Sequence, residues 1–196
     1  RPETIRKSVE GSLKRLKTDR IDLYYQHRID PKVSPEEVAG TMSDLIQEGK
    51  IAHWGISEAN EEYLRRAHAV CPVTAIQNRY SMMYRGYEKL FPVLEELEIG
   101  FVAFSPLANG LLSEQYDKYS KFESGDYRAD MPQYQPQAFD ENAELFRLLA
   151  LIAAQKKAAP AQIALAWMLC KKPYIVPIPG SRRIHRLYEN AKAADI

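Results

Sequence analysis

The stretch Tyr174-Ile-Val-Pro-Ile-Pro-Gly-Ser-Arg-Arg-Ile-His-Arg-Leu-Tyr-Glu-Asn190 decides how the rest of the sequence is interpreted. Residues 174–178 form an apolar run with the β-branched content of a buried strand. Pro179 and Gly180 then break the chain, and Ser181 stands where a helix N-cap is expected. A strand, a glycine turn and a helix start together favour a phosphate site, because the free N–H groups of a helix N-terminus bind anions.

Three arginines, Arg182, Arg183 and Arg186, lie on the first turns of this predicted helix. Cations at a helix N-terminus oppose the helix dipole, so the arrangement costs stability unless an anion offsets it. Arginine also binds phosphate through paired N–H groups. These residues alone leave two interpretations open, a phosphate-binding site and a solvated basic start of a helix.

Composition narrows the class of protein. The chain has 196 residues, is 45% hydrophobic and carries a formal net charge of +1, which is typical of one globular domain. The near-zero charge argues against a nucleic-acid partner, and no apolar run approaches the roughly 20 residues of a membrane span. Cys71 and Cys170 lie far apart without metal-ligand spacing, which predicts reduced thiols, no metal site and a cytoplasmic location.

Helical and strand patterns alternate along the chain. Helices are expected at 5–16, after Ser34, after Asn60, and at 87–97, 140–156 and 160–170, with a long polar segment at 109–139. Five strands are expected between the helices, at 21–25, 51–57, 73–76, 100–104 and 174–178. This alternation predicts an α/β fold with parallel strands, either an open doubly wound sheet or a (β/α)8 barrel.

Each predicted strand ends in a hydrogen-bonding side chain. In both candidate folds ligands bind at the carboxyl ends of the strands, so these side chains are expected to converge. Taken singly, each has an ordinary explanation, since polar residues commonly begin loops and a lone histidine is often structural. The five residues are His27, Ser57, Gln77, Ser105 and Ser181.

The segments around these strand ends carry a family resemblance. In chain order they resemble the motifs of the aldo-keto reductase superfamily, and their residues are most similar to those of its bacterial, plant and fungal branch. The matching segments are Ile21-Asp-Leu-Tyr-Tyr-Gln-His-Arg-Ile-Asp-Pro31, Gly55-Ile-Ser57, Gln77-Asn-Arg-Tyr-Ser81, Phe104-Ser-Pro-Leu-Ala-Asn-Gly-Leu-Leu112 and Ile178-Pro-Gly-Ser-Arg-Arg183.

The resemblance implies a (β/α)8 TIM barrel that binds extended NADPH and reduces aldehydes or ketones by hydride transfer. It assigns His27 to orienting the substrate carbonyl, as the catalytic residue in this chain. The cofactor residues that it implies are Ser57 and Gln77 for the carboxamide, Phe104 for the nicotinamide ring, Ser105, Leu107, Gly110 and Leu111 for the diphosphate, Gly180, Ser181, Arg182 and Arg186 for the 2′-phosphate, and Glu189 and Asn190 for adenine.

The sequence also departs from the family pattern. Glu58 follows Ser57 where many relatives have asparagine, and Gly180 stands where many have lysine. Only the histidine of the family's catalytic aspartate, tyrosine, lysine and histidine has a counterpart. Residues 1–196 are therefore expected to be strand units four to eight of a longer protein, a single barrel domain truncated at both ends. The tyrosine acid lies outside them, so these residues alone are expected to be inactive.

Three alternatives remain open. The chain could belong to a non-catalytic, nucleotide-sensing relative of the family, such as a potassium-channel β subunit. It could be an inactive fragment that binds cofactor only. It could also come from a phosphate-binding barrel with another chemistry, such as a flavin enzyme, which the strand-turn-helix stretch alone would support.

Overall fold

The computed structural model describes all residues, 1–196. Its strands are β1 (Ile21–Gln26), β2 (Ile51–Ser57), β3 (Ala75–Arg79), β4 (Gly100–Phe104) and β5 (Ile175–Pro177). Its α-helices are α1 (Pro2–Leu16), α2 (Pro35–Gln47), α3 (Glu61–Val70), α4 (Phe91–Glu96), α5 (Pro136–Glu141), α6 (Ala143–Lys156), α7 (Pro160–Leu169) and α8 (Ile184–Ala191). Short 3-10 helices lie at Glu88–Leu90, Ala108–Ser113, Tyr127–Asp130, Pro132–Tyr134 and Lys192–Asp195.

The five strands form one sheet in the order β1-β2-β3-β4-β5, the same as their order in the chain. β1 pairs with β2 and β2 with β3 in parallel, with Tyr25 opposite Gly55 and Ser57 opposite Gln77. Helix separates each strand from the next, as expected for successive βα units. The predicted α/β class with parallel strands is confirmed.

The chain divides into two compact units. Unit one comprises residues 1–78 and 87–102, and unit two comprises residues 79–86 and 103–196. None of the helices is both long enough and apolar enough to cross a bilayer.

Helix starts in unit one follow the predicted capping pattern. Ser34 caps α2 by accepting a hydrogen bond from the Glu37 N–H at 3.2 Å, and Asn60 caps α3 by accepting from the Tyr63 N–H at 2.8 Å. Such caps each contribute about 1 kcal/mol, because they satisfy otherwise unpaired N–H groups. Trp54 of β2 is fully buried, and its indole N–H donates to the Cys71 carbonyl at 3.3 Å. Trp54 is therefore a core residue.

Gly55 in β2 permits a close approach of two strands. A Cβ at this position would lie 2.6 Å from the Ala75 carbonyl oxygen and would also overlap the Tyr25 ring. Because only glycine lacks that atom, Gly55 lets the Tyr25 ring approach the backbone of β2 closely.

Unit two contains an aromatic core built from the segment predicted as a polar loop. Phe122 and Tyr134 meet at 5.0 Å between ring centroids, Tyr116 and Tyr134 at 5.5 Å, and Phe139 extends the series. Their neighbours include Leu112, which is fully buried. Residues 109–139 are thus a packed segment with three 3-10 turns and α5, and its aromatic rings supply the hydrophobic area that anchors it.

Trp167 of α7 also lies in unit two, where it is half-buried. Its ring stacks on Tyr80 at 5.7 Å, with the Arg85 guanidinium 5.9 Å and the Lys171 ammonium 4.8 Å from its centroid. Cations over the face of an indole are attracted by its quadrupole, so these contacts help to hold α7 in place.

Some predicted boundaries were wrong. β3 begins at Ala75, not 73, and continues to Arg79. The helix predicted at 87–97 is a 3-10 turn followed by α4, because Pro92 sits in the first turn of α4 and has no N–H to donate to a preceding turn. Leu16, at the last position of α1, is 64% exposed and does not face the core.

Candidate functional site

Three predicted site residues lie at neighbouring strand ends in unit one. Ser57 ends β2 and is opposite Gln77 of β3, and its hydroxyl donates to the Gln77 carbonyl at 3.0 Å. The Ser57 hydroxyl also accepts a hydrogen bond from Arg28 Nη1 at 3.2 Å. His27 directly follows β1 and is exposed. The parallel strands therefore bring His27, Ser57 and Gln77 to one edge of unit one.

His27 lines an open cavity of about 690 Å³ together with Tyr25 and Arg28. The Tyr25 hydroxyl is buried and forms no hydrogen bond of normal geometry, although the Gln77 side chain lies beside it. Burial raises the pKa of Tyr25, and Gln77 partly offsets that effect. This phenol is therefore neutral at physiological pH, and a buried polar atom lies beside the predicted carboxamide-binding glutamine.

Asn78 fixes the turn that follows Ser57. Its side-chain Oδ1 accepts from the Glu58 N–H at 2.8 Å, and the Gln77 carbonyl accepts from the same N–H at 3.2 Å. Glu58 has φ +58°, in the left-handed region that disfavours residues with a Cβ. Asn78 is fully buried. The position of Ser57 thus depends on a strained turn that Asn78 stabilises.

The loop after β4 in unit two has a run of left-handed residues. Ser105, Ala108 and Asn109 have φ of 51°, 49° and 61°, and Gly110 has φ 104°. Left-handed conformations at residues other than glycine cost energy and cluster at functional sites. The loop begins at Phe104, the last residue of β4, whose carbonyl accepts from the Tyr80 N–H at 3.2 Å.

Two cavities adjoin this loop within unit two. One, of about 370 Å³, is lined by loop residues Ser105, Leu107 and Gly110 and reaches Gly180. The other, of about 270 Å³, lies between the same loop and the start of α8. Its lining includes eight of the predicted cofactor residues: Leu107, Gly110, Gly180, Ser181, Arg182, Arg186, Glu189 and Asn190.

Arg186 is paired at this second cavity. Its Nη1 lies 2.6 Å from Glu189 Oε1, one turn further along α8, and both side chains are about three-quarters buried, with 29% and 25% exposed. Gln115, from the opposite wall, faces the other edge of the guanidinium, and with its amide oxygen turned inward it accepts from Nε at 3.2 Å. The guanidinium is thus held from two sides.

Ser181 does not cap the last helix, and that prediction was wrong. α8 begins at Ile184, and its N-cap residue is Arg183. The Ser181 hydroxyl accepts from the Arg183 N–H at 3.1 Å instead, so it stabilises the turn before the helix. The helix start falls two residues later than the sequence pattern indicated, and Ser181, Arg182 and Arg183 form the turn that leads into it.

The structure brings most predicted site residues together within their own unit, with two exceptions in unit two. Leu111 is buried in the core, and neither Leu111 nor Phe104 lines either cavity of unit two. Sequence reasoning missed Gln115, Tyr116 and Arg128, which line both cavities. The one feature of the sequence that could have pointed to them is their location in the long polar segment 109–139, because long segments of this kind are often functional.

Comparison with known proteins identifies the family of this chain. The model of the aldo/keto reductase family matches residues 1–196, the whole chain. The chain therefore belongs to the aldo/keto reductase family. The aldo-keto reductase str7 of Strobilurus tenacellus is 39% identical over 199 residues, covering 100% of this chain and 59% of that protein.

Solved structures show the same likeness. The glycerol dehydrogenase of Gluconobacter oxydans superposes with a TM-score of 0.90 at 27% identity, over 100% of this chain and 64% of that one. An aldo-keto reductase of Klebsiella pneumoniae, solved with NADPH, gives a TM-score of 0.73 at 25% identity, over 98% and 59% of the two chains. The chain spans about three fifths of the length of these relatives.

These matches confirm the resemblance stated from the motifs and the predicted fold class. The parallel α/β sheet corresponds to roughly five βα units of a (β/α)8 barrel.

Proposed function

We propose that this chain is the cofactor-binding part of an NADPH-dependent oxidoreductase that reduces aldehydes or ketones to alcohols. The observation that carries the proposal is the cavity of unit two in which the loop after β4 meets the arginine-rich start of α8. Glycine backbone on one wall and arginines on the other are the chemistry that a phosphorylated nucleotide requires. The relative from Klebsiella pneumoniae solved with NADPH supports the same choice of cofactor.

The donor set fits the 2′-phosphate of NADPH. Arg182 and Arg186 line the cavity, and Gly180 leaves the approach open, since a Cβ there would meet no atom within 4 Å. A phosphate dianion near two guanidinium groups would also offset the unfavourable placement of cations at the start of α8. The lysine that many relatives have at position 180 is thus replaced by open space, and the two arginines are left to bind the phosphate.

The side chains at the strand ends of unit one fit the nicotinamide end of NADPH. NADPH, when bound, supplies the hydride, and Ser57 and Gln77 would hold its carboxamide through hydroxyl and amide groups. The Ser57 hydroxyl is already oriented by its bonds to Arg28 and Gln77. His27, which lines the neighbouring cavity, would donate to the substrate carbonyl and orient it. The general acid, a tyrosine in the family, is expected outside this chain.

Phe104 is the residue that the family resemblance assigns to the nicotinamide ring. It ends β4, where its ring is partly exposed. An aromatic face at this position could stack on the nicotinamide ring and present one side of it to the substrate.

Cofactor titrations of intact wild-type and variant protein test this proposal. Arg186→Ala should weaken NADPH binding about 10- to 100-fold, since a hydrogen bond to a charged group contributes about 1.5–3 kcal/mol. NADH binding should change far less, because NADH lacks the 2′-phosphate. The matched control is Arg147→Ala, since Arg147 forms the same kind of one-turn pair with Glu144 on α6. If Arg186→Ala weakened both cofactors equally, Arg186 would be structural.

Turnover separates the enzyme from a nucleotide sensor. The intact protein should oxidise NADPH when given 4-nitrobenzaldehyde, and His27→Ala should lower kcat while NADPH affinity stays unchanged. NADPH binding without turnover of any carbonyl compound would favour a non-catalytic relative. FMN binding in place of NADPH would favour a flavin barrel.

A further inference from the structure

Helix α6 is apolar on two opposite sides. One side, with Leu149 and Ala153, is buried in the core of unit two. On the other side Leu148 and Leu151 are 45% and 47% exposed, and Ala154, three residues further, is also exposed. Spacing by three residues places these last three side chains on one face, which we call the outer face of α6. A helix that is apolar all round is normally buried all round, so the outer face is expected to have a partner.

The charged residues on this side of α6 are paired with each other. Arg147 Nη2 lies 2.7 Å from Glu144 Oε1, and both side chains are exposed. By contrast, Arg65 and Arg66 of α3 form ion pairs with glutamates of two other helices, at 2.6 Å and 2.7 Å. The exposed side of α3 is thus charged, as a solvated helix face normally is, whereas the outer face of α6 presents leucines.

The charges at the two ends of α6 are opposite in sign. Asp140, Glu141 and Glu144 lie at or just before its first turn, and Lys156 and Lys157 lie at its other end, all five exposed. A two-fold axis requires a surface that is complementary to itself. The antiparallel packing of two such helices meets this requirement, because it sets the acidic end of each beside the basic end of the other, with the leucines between them.

We propose that the outer face of α6 is the contact through which two copies of this protein form a homodimer, with the two helices antiparallel. Leu148 of one copy then faces Leu151 of the other, and Glu144 faces Gln155, because both pairs are centred between residues 149 and 150. The 14 residues of α6 span about 21 Å. One helix face of this length is smaller than the roughly 800 Å² per partner of a standard interface, so a dimer Kd in the micromolar range is expected.

Sedimentation velocity of the intact protein over a concentration series measures this association. Leu151→Glu should raise the dimer Kd by about 30-fold or more, because each dimer would lose two leucine contacts and bury two carboxylates. Val70→Glu is the matched control, since Val70 of α3 is 45% exposed, and it should associate as wild type does. Wild-type protein that stays monomeric at millimolar concentration would overturn the proposal. Another part of the intact polypeptide, or a different protein, would then cover the face.

Opposite charges at position 155 test the antiparallel orientation. Lysine there would face Glu144 of the other copy and should lower the dimer Kd, whereas glutamate should raise it. Each change should be about two- to thirtyfold, because the exposed charge pair occurs twice in a two-fold dimer. Gln155→Lys and Gln155→Glu both keep helix propensity close to that of glutamine, so the fold should be retained.

Two further outcomes of these measurements would contradict the proposal. In a parallel pair of helices position 155 would face itself, so both Gln155 variants would raise the Kd and the antiparallel arrangement would be wrong. A dimer whose Kd is unchanged by Leu151→Glu and by both Gln155 variants would form through another surface.

Discussion

The strained turn at Glu58 leads to a prediction of increased stability. Glu58 has φ +58°, and a residue with a Cβ in this region costs roughly 1–2 kcal/mol. Asparagine tolerates the conformation better, because its short side chain bonds locally to the backbone. Glycine removes the Cβ but adds roughly 0.4–1 kcal/mol of unfolded-state entropy. Glu58→Asn and Glu58→Gly should therefore each stabilise the intact protein by about 0.5–1 kcal/mol.

Urea unfolding followed by circular dichroism measures this change. The midpoint should rise in both variants while the m-value stays constant, since the surface exposed on unfolding is unchanged. Glu62→Gly, in the first turn of α3, is the matched control and should destabilise by about 1 kcal/mol, because it lowers helix propensity and removes a carboxylate from the positive end of the helix dipole. If Glu58→Gly lowered stability as much as Glu62→Gly, the turn would not be strained, and the account of the Ser57 position would fail with it.

Three further perturbations test the packing around the site. Gly55→Ala should lower stability by about 1–3 kcal/mol in thermal melts, because the new Cβ would lie 2.6 Å from a backbone oxygen. The control is Gly40→Ala in α2, which should stabilise the protein slightly, because a Cβ there meets nothing within 4 Å. Asn78→Ala should cost about 1–3 kcal/mol in urea unfolding, because it leaves the Glu58 N–H without its shorter bond; an unchanged midpoint would contradict that role. Burial lowers the pKa of His68, whose Nδ1 accepts from the Val73 N–H, so its stabilisation is present above about pH 6.5 and is lost as the pH falls below that value. Between pH 7 and pH 5 the melting temperature should therefore fall less in His68→Gln than in wild type, and parallel slopes would exclude the effect.

Much of the fold could be predicted from the sequence, because local patterns and tertiary packing agree in most elements. β2 and β4 have the predicted bounds, 51–57 and 100–104, since their apolar runs end abruptly at polar residues. Ser34 and Asn60 cap the helices as expected, because a cap depends only on residues within one turn.

The rest depended on long-range packing. Ser105 and Ala108 adopt left-handed φ although neither is glycine, and no sequence pattern marks such a residue. The segment 109–139 looked like a loop because its rings are irregularly spaced, yet they meet in a common core. Arg128 gained its place at the cavities through that core, by contacts with Tyr116 and Phe122. Its place at the cavities could therefore not be predicted from the sequence.

The two tryptophans of this chain make each compact unit separately observable. Trp54, fully buried, belongs to unit one, and Trp167, half-buried beside two cations, belongs to unit two. A buried indole fluoresces at a shorter wavelength than one near charge and solvent, so Trp54 and Trp167 should have different emission maxima. Replacing one or the other by phenylalanine would leave a single intrinsic emitter in each variant. Denaturation curves of the pair would then reveal whether the units melt together or in sequence.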